Sequence, residues 1–305
     1  MNDIFLSLAS IVLLGNVLQR LYPDWNLEDL RKSINKLVLH VLLPALIFKV
    51  ITSSELGGVL YEVPLCIGAG IIGCVSVGWV IFRFFSIARP AQGALILACA
   101  FGNVTYLGLP VLQGVFPDYA LDISKVAILS EVTVSPLNLV VGSLLAMRYG
   151  ADRGVGVRQS LKQVCQLPPL WALAVALGCK FLQVPVPSFI QHAAGVLGAT
   201  VSGLMILSLG MAIKFQRVEH PVPLLAAGSI KLLLSPLVVF FAARALGMKP
   251  PYFEAVTLEG AMPTQLLTLV IADRFNLDSK LLAQVILINT VIAFVTLPLL
   301  RGLLF

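Results

Sequence analysis

The sequence predicts an all-α membrane protein of ten transmembrane helices, arranged as two inverted five-helix repeats with broken crossing helices 4 and 9. Three observations predict it. The first is composition: of 305 residues, 58% are hydrophobic and 12% charged, with a mean hydropathy of +0.96. Soluble domains carry about 45–50% apolar and about 25% charged residues, so a water-soluble globule is excluded. The second is that apolar stretches long enough to cross a hydrocarbon core of about 30 Å recur along the whole chain. The third is that two of these stretches are interrupted at matching places.

In order, the apolar segments run over 3–21, 34–53, 63–85, 91–115, 123–147, 167–184, 189–213, 221–246, 252–272 and 281–304. They use nearly all of the chain, so residues 1–305 are expected to form a single membrane domain. The first segment resembles a signal peptide in position, but Asp3 replaces the basic leading end and the apolar run is too long. A retained first span is expected. The longest polar stretch, Arg148 to Gln166, separates a first repeat, 1–147, from a second, 167–305, leaving a loop at 148–166. Five spans per half force the second half to enter the membrane upside down. Shared openings support the pairing. Segment five opens Asp122-Ile123-Ser124-Lys125 and segment ten Asp278-Ser279-Lys280. Segment three opens Glu62-Val63-Pro64-Leu65 and segment eight Pro221-Val222-Pro223-Leu224.

The net charge of +6 is explained by topology rather than by nucleic acid. Fourteen of the 21 basic residues fall in odd-numbered loops, and six fall in even-numbered loops or the C-terminus. The positive-inside rule then places the odd loops, Arg148–Gln166 among them, in the cytoplasm and both termini outside. A plasma (inner) membrane location follows. The five cysteines, Cys66, Cys74, Cys99, Cys165 and Cys179, sit in or beside spans without a C-x-x-C pair. They read as small packing residues, not as a disulfide framework or a zinc site.

The fourth segment contains Phe101-Gly102-Asn103-Val104-Thr105-Tyr106-Leu107-Gly108-Leu109-Pro110, and the ninth Glu259-Gly260-Ala261-Met262-Pro263-Thr264-Gln265. Asn103 lies 13 residues after Pro90, and Pro263 lies 13 residues after Pro250. Breakers at membrane depth leave backbone groups that lipid cannot satisfy, so they survive where they line a cavity or meet another helix. A pair of breaks in corresponding positions of two halves points to the binding site of a secondary transporter. Gly102, Gly108, Pro110 and Pro263 are read as setting the geometry of the breaks. Asn103 is the leading candidate ligand, because its amide can donate two hydrogen bonds and accept others without a full buried charge, against the alternative that it only satisfies backbone freed at the kink. Thr105, Tyr106, Thr264 and Gln265 are further candidates for substrate binding, against the alternative of interhelical hydrogen bonding.

Three motifs carry a resemblance. Asn103 to Pro110 resembles the Asn-x-x-x-x-Gly-x-Pro stretch in the fourth span of the auxin efflux carrier family. Ala261-Met262-Pro263, followed by Ala272-Asp273-Arg274-Phe275, is similar to that family's ninth-span motif. Leu42-Leu43-Pro44-Ala45-Leu46-Ile47-Phe48 resembles its second-span signature. The short central loop is similar to that of bacterial members, malate and malonate permeases among them. Gly102 stands where the plant carriers have a proline. The resemblance implies a scaffold and a transport domain, spans four and nine broken at their crossing, and a small organic anion, a carboxylate, as substrate.

Lys231 interrupts an apolar span, and a charge at bilayer centre costs roughly 2.5–3.5 kcal/mol on insertion scales. It either attracts the anion or titrates with transport, or it is held in a structural ion pair, or its stem lets the head reach water. Glu131, Ser135 and Asn138 stand at i, i+4 and i+7 and share one helix face. Glu131 is a proton-coupling candidate, or a partner for Lys231 or for a loop base, and Glu259, just before the second break, is a comparable proton-coupling candidate. His40 and Lys49 read as packing and interface-reaching residues. Gly68-Ala69-Gly70-Ile71-Ile72-Gly73 fits G-x-G-x-x-G, but it lies inside an apolar span rather than after a strand. The sequon Asn103-Val104-Thr105 lies within the membrane. No Ser-His-Asp set, zinc spacing or phosphate loop occurs, so neither an enzyme nor a cofactor is expected.

The expected partners are an organic anion, the lipid bilayer, a coupled proton or sodium ion, and a second copy of the chain as a homodimer. Nucleic acid is not expected. Within the same class the rival reading is a sodium-coupled bile-acid-type symporter of like architecture. From another class, the rival is a non-transporting membrane metabolite sensor.

Overall fold

A computed structural model describes residues 2–22, 24–150, 157–213 and 220–304. Residues 151–156, in the middle of the loop expected to be cytoplasmic, lie outside them, as do Lys214 and Arg217. The described chain is helical, with one isolated antiparallel bridge, between Gly102 and Thr264. The helices are α1 (Asn2–Leu21), α2 (Leu27–Ser53), α3 (Val59–Phe82), α4 (Arg89–Ala100), α5 (Val104–Val115), α6 (Pro117–Tyr149) and α7 (Val157–Cys165). They continue with α8 (Pro168–Phe181), α9 (Ser188–Ala212), α10 (Pro221–Ala245), α11 (Tyr252–Gly260), α12 (Leu267–Arg274) and α13 (Ser279–Leu304).

Every expected apolar segment falls on helix. Among the described residues, six helices (α2, α3, α6, α9, α10 and α13) are long and apolar enough to cross a membrane. The pair α7 and α8, bent by 53°, makes a seventh if counted as one span. The remaining segments are shorter helices, and two of them are the expected broken ones. Segment four divides into α4 and α5, and segment nine into α11 and α12. The chain is a multi-pass membrane protein.

Irregular turns in the helices lie close to prolines. Wider, π-helical turns occupy Val38–Leu42, Val104–Gly108, Asn138–Gly142 and Ile230–Leu234. Three of them end two residues before a proline, Pro44, Pro110 or Pro236, and the fourth begins two residues after Pro136. A proline has no N–H to give the carbonyl four residues back, and its ring pushes that carbonyl away. The turn widens in response, as π-bulges do at functional sites. Gly108 ends the widened turn that opens α5, and Pro110 follows it by two residues.

The chain forms two compact units, and each draws on both halves of the sequence. The first comprises Met1–Val59, Thr105–Ile128 and Leu167–Ile213. The second comprises Leu60–Val104, Leu129–Gln166 and Lys214–Phe305. In the first unit α1 lies against α9 with almost nothing between the backbones. A Cβ on Gly210 would sit 3.0 Å from Gly15 Cα and would overlap the Val12 carbonyl. The close approach lets α1 amides reach the last carbonyls of α9: Asn16 Nδ2 donates to Ile213 O at 2.8 Å and Gln19 Nε2 to Met211 O at 2.9 Å. Those carbonyls have no partner within their own helix. The C-terminal end of α2 is served by lysines. Lys180 Nζ donates to Ser54 O, and buried Lys125 donates to Glu55 O at 2.7 Å while pairing with Asp122 at 2.8 Å. Cations there oppose the negative end of the helix dipole.

The second unit holds Cys66, Cys74 and Cys99, all buried. Cys165 is exposed and Cys179 half-buried, and all five are free thiols. The first three therefore fill packing positions, as expected.

The α1–α9 contact generates a test. Gly210→Ala should cost about 1–3 kcal/mol through overpacking and should lower the melting temperature of the detergent-solubilised protein. Gly203→Ala, where a Cβ meets nothing within 4 Å, should leave melting unchanged or raise it slightly. Equal melting of the Gly210→Ala and parent proteins would remove this contact as a stability determinant.

Candidate functional site at the paired helix breaks

Helix α4 stops because Phe101 turns extended, at φ −105° and ψ 117°. Helix α11 ends at Gly260, and Pro263 then prevents its resumption by lacking an N–H and holding Met262 out of the helical region. The two extended pieces pair with each other. Asn103 N donates to Pro263 O at 2.7 Å, and Gln265 N donates to Phe101 O at 2.9 Å, on either side of the bridged pair Gly102 and Thr264. Each break thus supplies the hydrogen bonds that the other has lost.

Side chains complete the helix ends beside this pairing. Thr264 Oγ1 donates to Ala98 O, one of the last carbonyls of α4, at 2.7 Å, and accepts from Asn289 Nδ2 at 3.0 Å. At the end of α11, Gly260 O accepts from Ser235 Oγ at 2.8 Å and from Lys231 Nζ at 3.1 Å. Lys231 also donates to Ser235 Oγ at 3.1 Å. Gly102 makes room for the lysine, since a Cβ there would lie 3.2 Å from Nζ. The ammonium sits at the negative end of α11, where a cation is stabilised. It forms no ion pair among the described residues, so the expected pairing of Lys231 with Glu131 is not the arrangement found. A carbonyl end and a hydroxyl hold the lysine instead.

Glu131 accepts a short hydrogen bond from Ser135 Oγ. Gln265 Nε2 donates to Ser135 Oγ at 3.3 Å, and Asn138 Nδ2 donates to Gln265 Oε1 at 3.4 Å. The face shared by Glu131, Ser135 and Asn138 therefore meets the second break. Glu259 is 1% exposed, and neither carboxylate oxygen has a hydrogen-bond partner among the described residues. Lys231 and Glu131 act on it electrostatically. It opens on a small cleft, whose lining combines apolar Ile67, Ile71 and Val239 with Gly102, Lys231 and Glu259.

Of the residues singled out in the sequence, Gly102, Asn103, Pro263, Thr264 and Gln265 come together at the pairing, with Lys231, Glu259 and Glu131 around it. Asn103 and Gln265 are 3% and 8% exposed. Thr105 and Tyr106 belong to the first unit, where they lie in the widened turn that opens α5. Asn289 and the Ser235 cap were missed by sequence reasoning. Asn289-Thr290 and Ser235-Pro236 are polar interruptions of apolar segments, and that was the signal available. Among the described residues no group of His, Cys, Asp and Glu is arranged to hold a metal ion.

The double role of Thr264 is testable by melting. Thr264→Val leaves Ala98 O and the Asn289 amide without their partner and should cost about 1–3 kcal/mol. Thr264→Ser, which keeps the hydroxyl, should melt near the parent. Equal melting of the valine and serine variants would show that the hydroxyl does not hold the break.

The model of one family, described as membrane transport protein, matches residues 6–151 and 153–301. An uncharacterized transporter of Methanothermobacter thermautotrophicus is 30% identical, with 98% of this chain and 96% of the relative covered. An uncharacterized transporter of Methanocaldococcus jannaschii is 25% identical, with 89% of each chain covered. The uncharacterized transporter YfdV of Escherichia coli is 24% identical over 89% of this chain and 88% of its own. With matched breaks that pair in space and a family model spanning nearly its whole length, the chain belongs to the membrane transport protein family, that of the auxin efflux carriers.

Proposed function

We propose that this protein is a secondary active or facilitative transporter of a small organic anion, a carboxylate, which it binds at the pairing of the two helix breaks and carries by alternating access. The observation that carries the reading is that pairing, with an amide and a buried ammonium beside it. Asn103 would supply charge-assisted donors to the carboxylate, Lys231 a favourable potential, and Gln265 a further polar contact, while Thr105 and Tyr106 remain substrate-binding candidates of the first unit. The Thr264 hydroxyl is committed to Ala98 and Asn289, so its part is to hold the break. Division into two compact units suits alternating access, in which one body moves while the other stays. The ten-span inverted-repeat reading, with both termini outside, belongs to the same proposal. The rival sodium-coupled reading draws on Glu259, whose oxygens lack hydrogen-bond partners among the described residues and suit a cation, and sodium-dependent uptake would favour it.

Malonate serves as the probe. Melting of the purified protein should rise with malonate concentration, because a ligand that binds the native state stabilises it by mass action. Hydrogen bonds to a charged group contribute roughly 1.5–3 kcal/mol, so Asn103→Ala should weaken binding about ten- to hundredfold while expression and melting hold. Undiminished affinity in a well-folded Asn103→Ala protein would move the site away from the breaks. If no carboxylate in a screen shifts melting or enters proteoliposomes, the substrate class is wrong.

Orientation has its own measurement. A single cysteine placed at Arg153, on a cysteine-free background, should resist an impermeant reagent added to intact cells and should react once the membrane is opened. Labelling from outside would reverse the proposed orientation.

A further inference from the structure

The four residues Asn138, Gln265, Ser135 and Glu131 form one buried chain of hydrogen bonds, and every donor in it points the same way. Asn138 gives to Gln265, Gln265 gives to Ser135, and Ser135 gives to Glu131. At the far end Asn138 Oδ1 receives no hydrogen bond. The chain therefore runs from an amide oxygen left over to a carboxylate that accepts.

Each member can be reversed. A hydroxyl both donates and accepts, an amide exchanges its oxygen and NH2 by half a turn, and a protonated carboxyl becomes a donor. With one proton from solvent on Glu131, its O–H gives to Ser135 Oγ, and the Ser135 hydroxyl gives to the Gln265 amide oxygen. The Gln265 NH2 then gives to Asn138 Oδ1, once that amide has also turned. The reversed chain keeps the number of bonds, and the turned Asn138 amide places its NH2 where its unpartnered oxygen had stood. The backbone N of Gln265 stays fixed to Phe101 O, so reversal exchanges only the side-chain oxygen and NH2 at the second break.

We propose that this chain is a proton-operated switch: one proton on Glu131 sets, through Ser135, whether Gln265 presents its amide oxygen or its NH2 beside the paired breaks. Glu131 is thus a positioning residue, and Gln265 is the group it positions. The proposal rests on the reading of the breaks as the anion site, and it names the proton as the ion to which that site answers. Glu259 of α11 acts on Glu131, and Lys231 of α10 acts on Glu259, so these are the charged neighbours that tune the switch. An anion close by favours the state in which Glu131 carries the proton, because two like charges are then avoided. Binding of the anion and uptake of the proton are therefore linked reciprocally.

The test needs no substrate. Infrared difference spectra of the purified protein, taken between pH values with isotope-labelled glutamine, should show two changes titrating together. One is loss of a protonated-carboxyl band, and the other is a shift of one glutamine amide band, assigned by its loss in Gln265→Met. Glu131→Gln should abolish both. Ser135→Ala should keep the carboxyl change and lose the amide shift, and Ser135→Thr, which retains the hydroxyl, should restore it. An amide shift that survives in Ser135→Ala overturns the proposal. So does the absence of a Glu131 carboxyl change over the range in which the parent stays folded. Malonate uptake by proteoliposomes tests the anion reading separately, so failure of one is distinguishable from failure of the other.

Discussion

Everything at the centre of the second unit depends on one requirement: backbone groups freed by a broken helix inside a membrane must find partners in the protein. Water would satisfy them at little cost, whereas hydrocarbon leaves each one several kcal/mol short. Here the two breaks meet this requirement for each other, through Asn103 N to Pro263 O and Gln265 N to Phe101 O. Neither break could persist alone in hydrocarbon. The pairing places the carbonyl ends of α4 and α11 close to each other's breaks, and it brings Asn103 and Gln265 together.

The helix ends then impose their own chemistry. Final carbonyls lack intrahelical donors, and the aligned peptide dipoles make that end negative. The second unit answers with Thr264 at the end of α4, and with Ser235 and Lys231 at the end of α11. The first unit uses the same device, with amides of α1 on α9 and lysines at the end of α2. Lys231 therefore has a structural office that its charge fits, and this explains how an ammonium is tolerated in an apolar span. The same ammonium lines a cleft together with the Glu259 carboxylate.

Prolines tie the local sequence to these placements. Pro236 widens the turn that carries Lys231, Pro136 precedes the turn that begins at Asn138, and Pro110 follows the turn that carries Thr105 and Tyr106. A widened turn rotates the side chains beyond it relative to an ideal helix. Polar residues in these spans thus reach positions that regular 3.6-residue periodicity would not assign to them.

By itself the sequence determined the helical membrane class, the apolar segments and the two breaks, because hydropathy, proline and glycine act locally and lipid forbids alternatives. It also placed Glu131, Ser135 and Asn138 on one face, since helical spacing alone decides that. What Lys231 does was decided only in three dimensions. From sequence, Glu131 was as good a partner as any, whereas the fold brings the Gly260 carbonyl and Ser235 to the lysine instead. The same holds for Asn289, which lies 25 residues from Thr264 and bears no local mark of the contact. Hydrogen-bond partners across helices depend on which helices pack and in what rotation. That information resides in the summed packing of the whole unit and not in any segment of the chain.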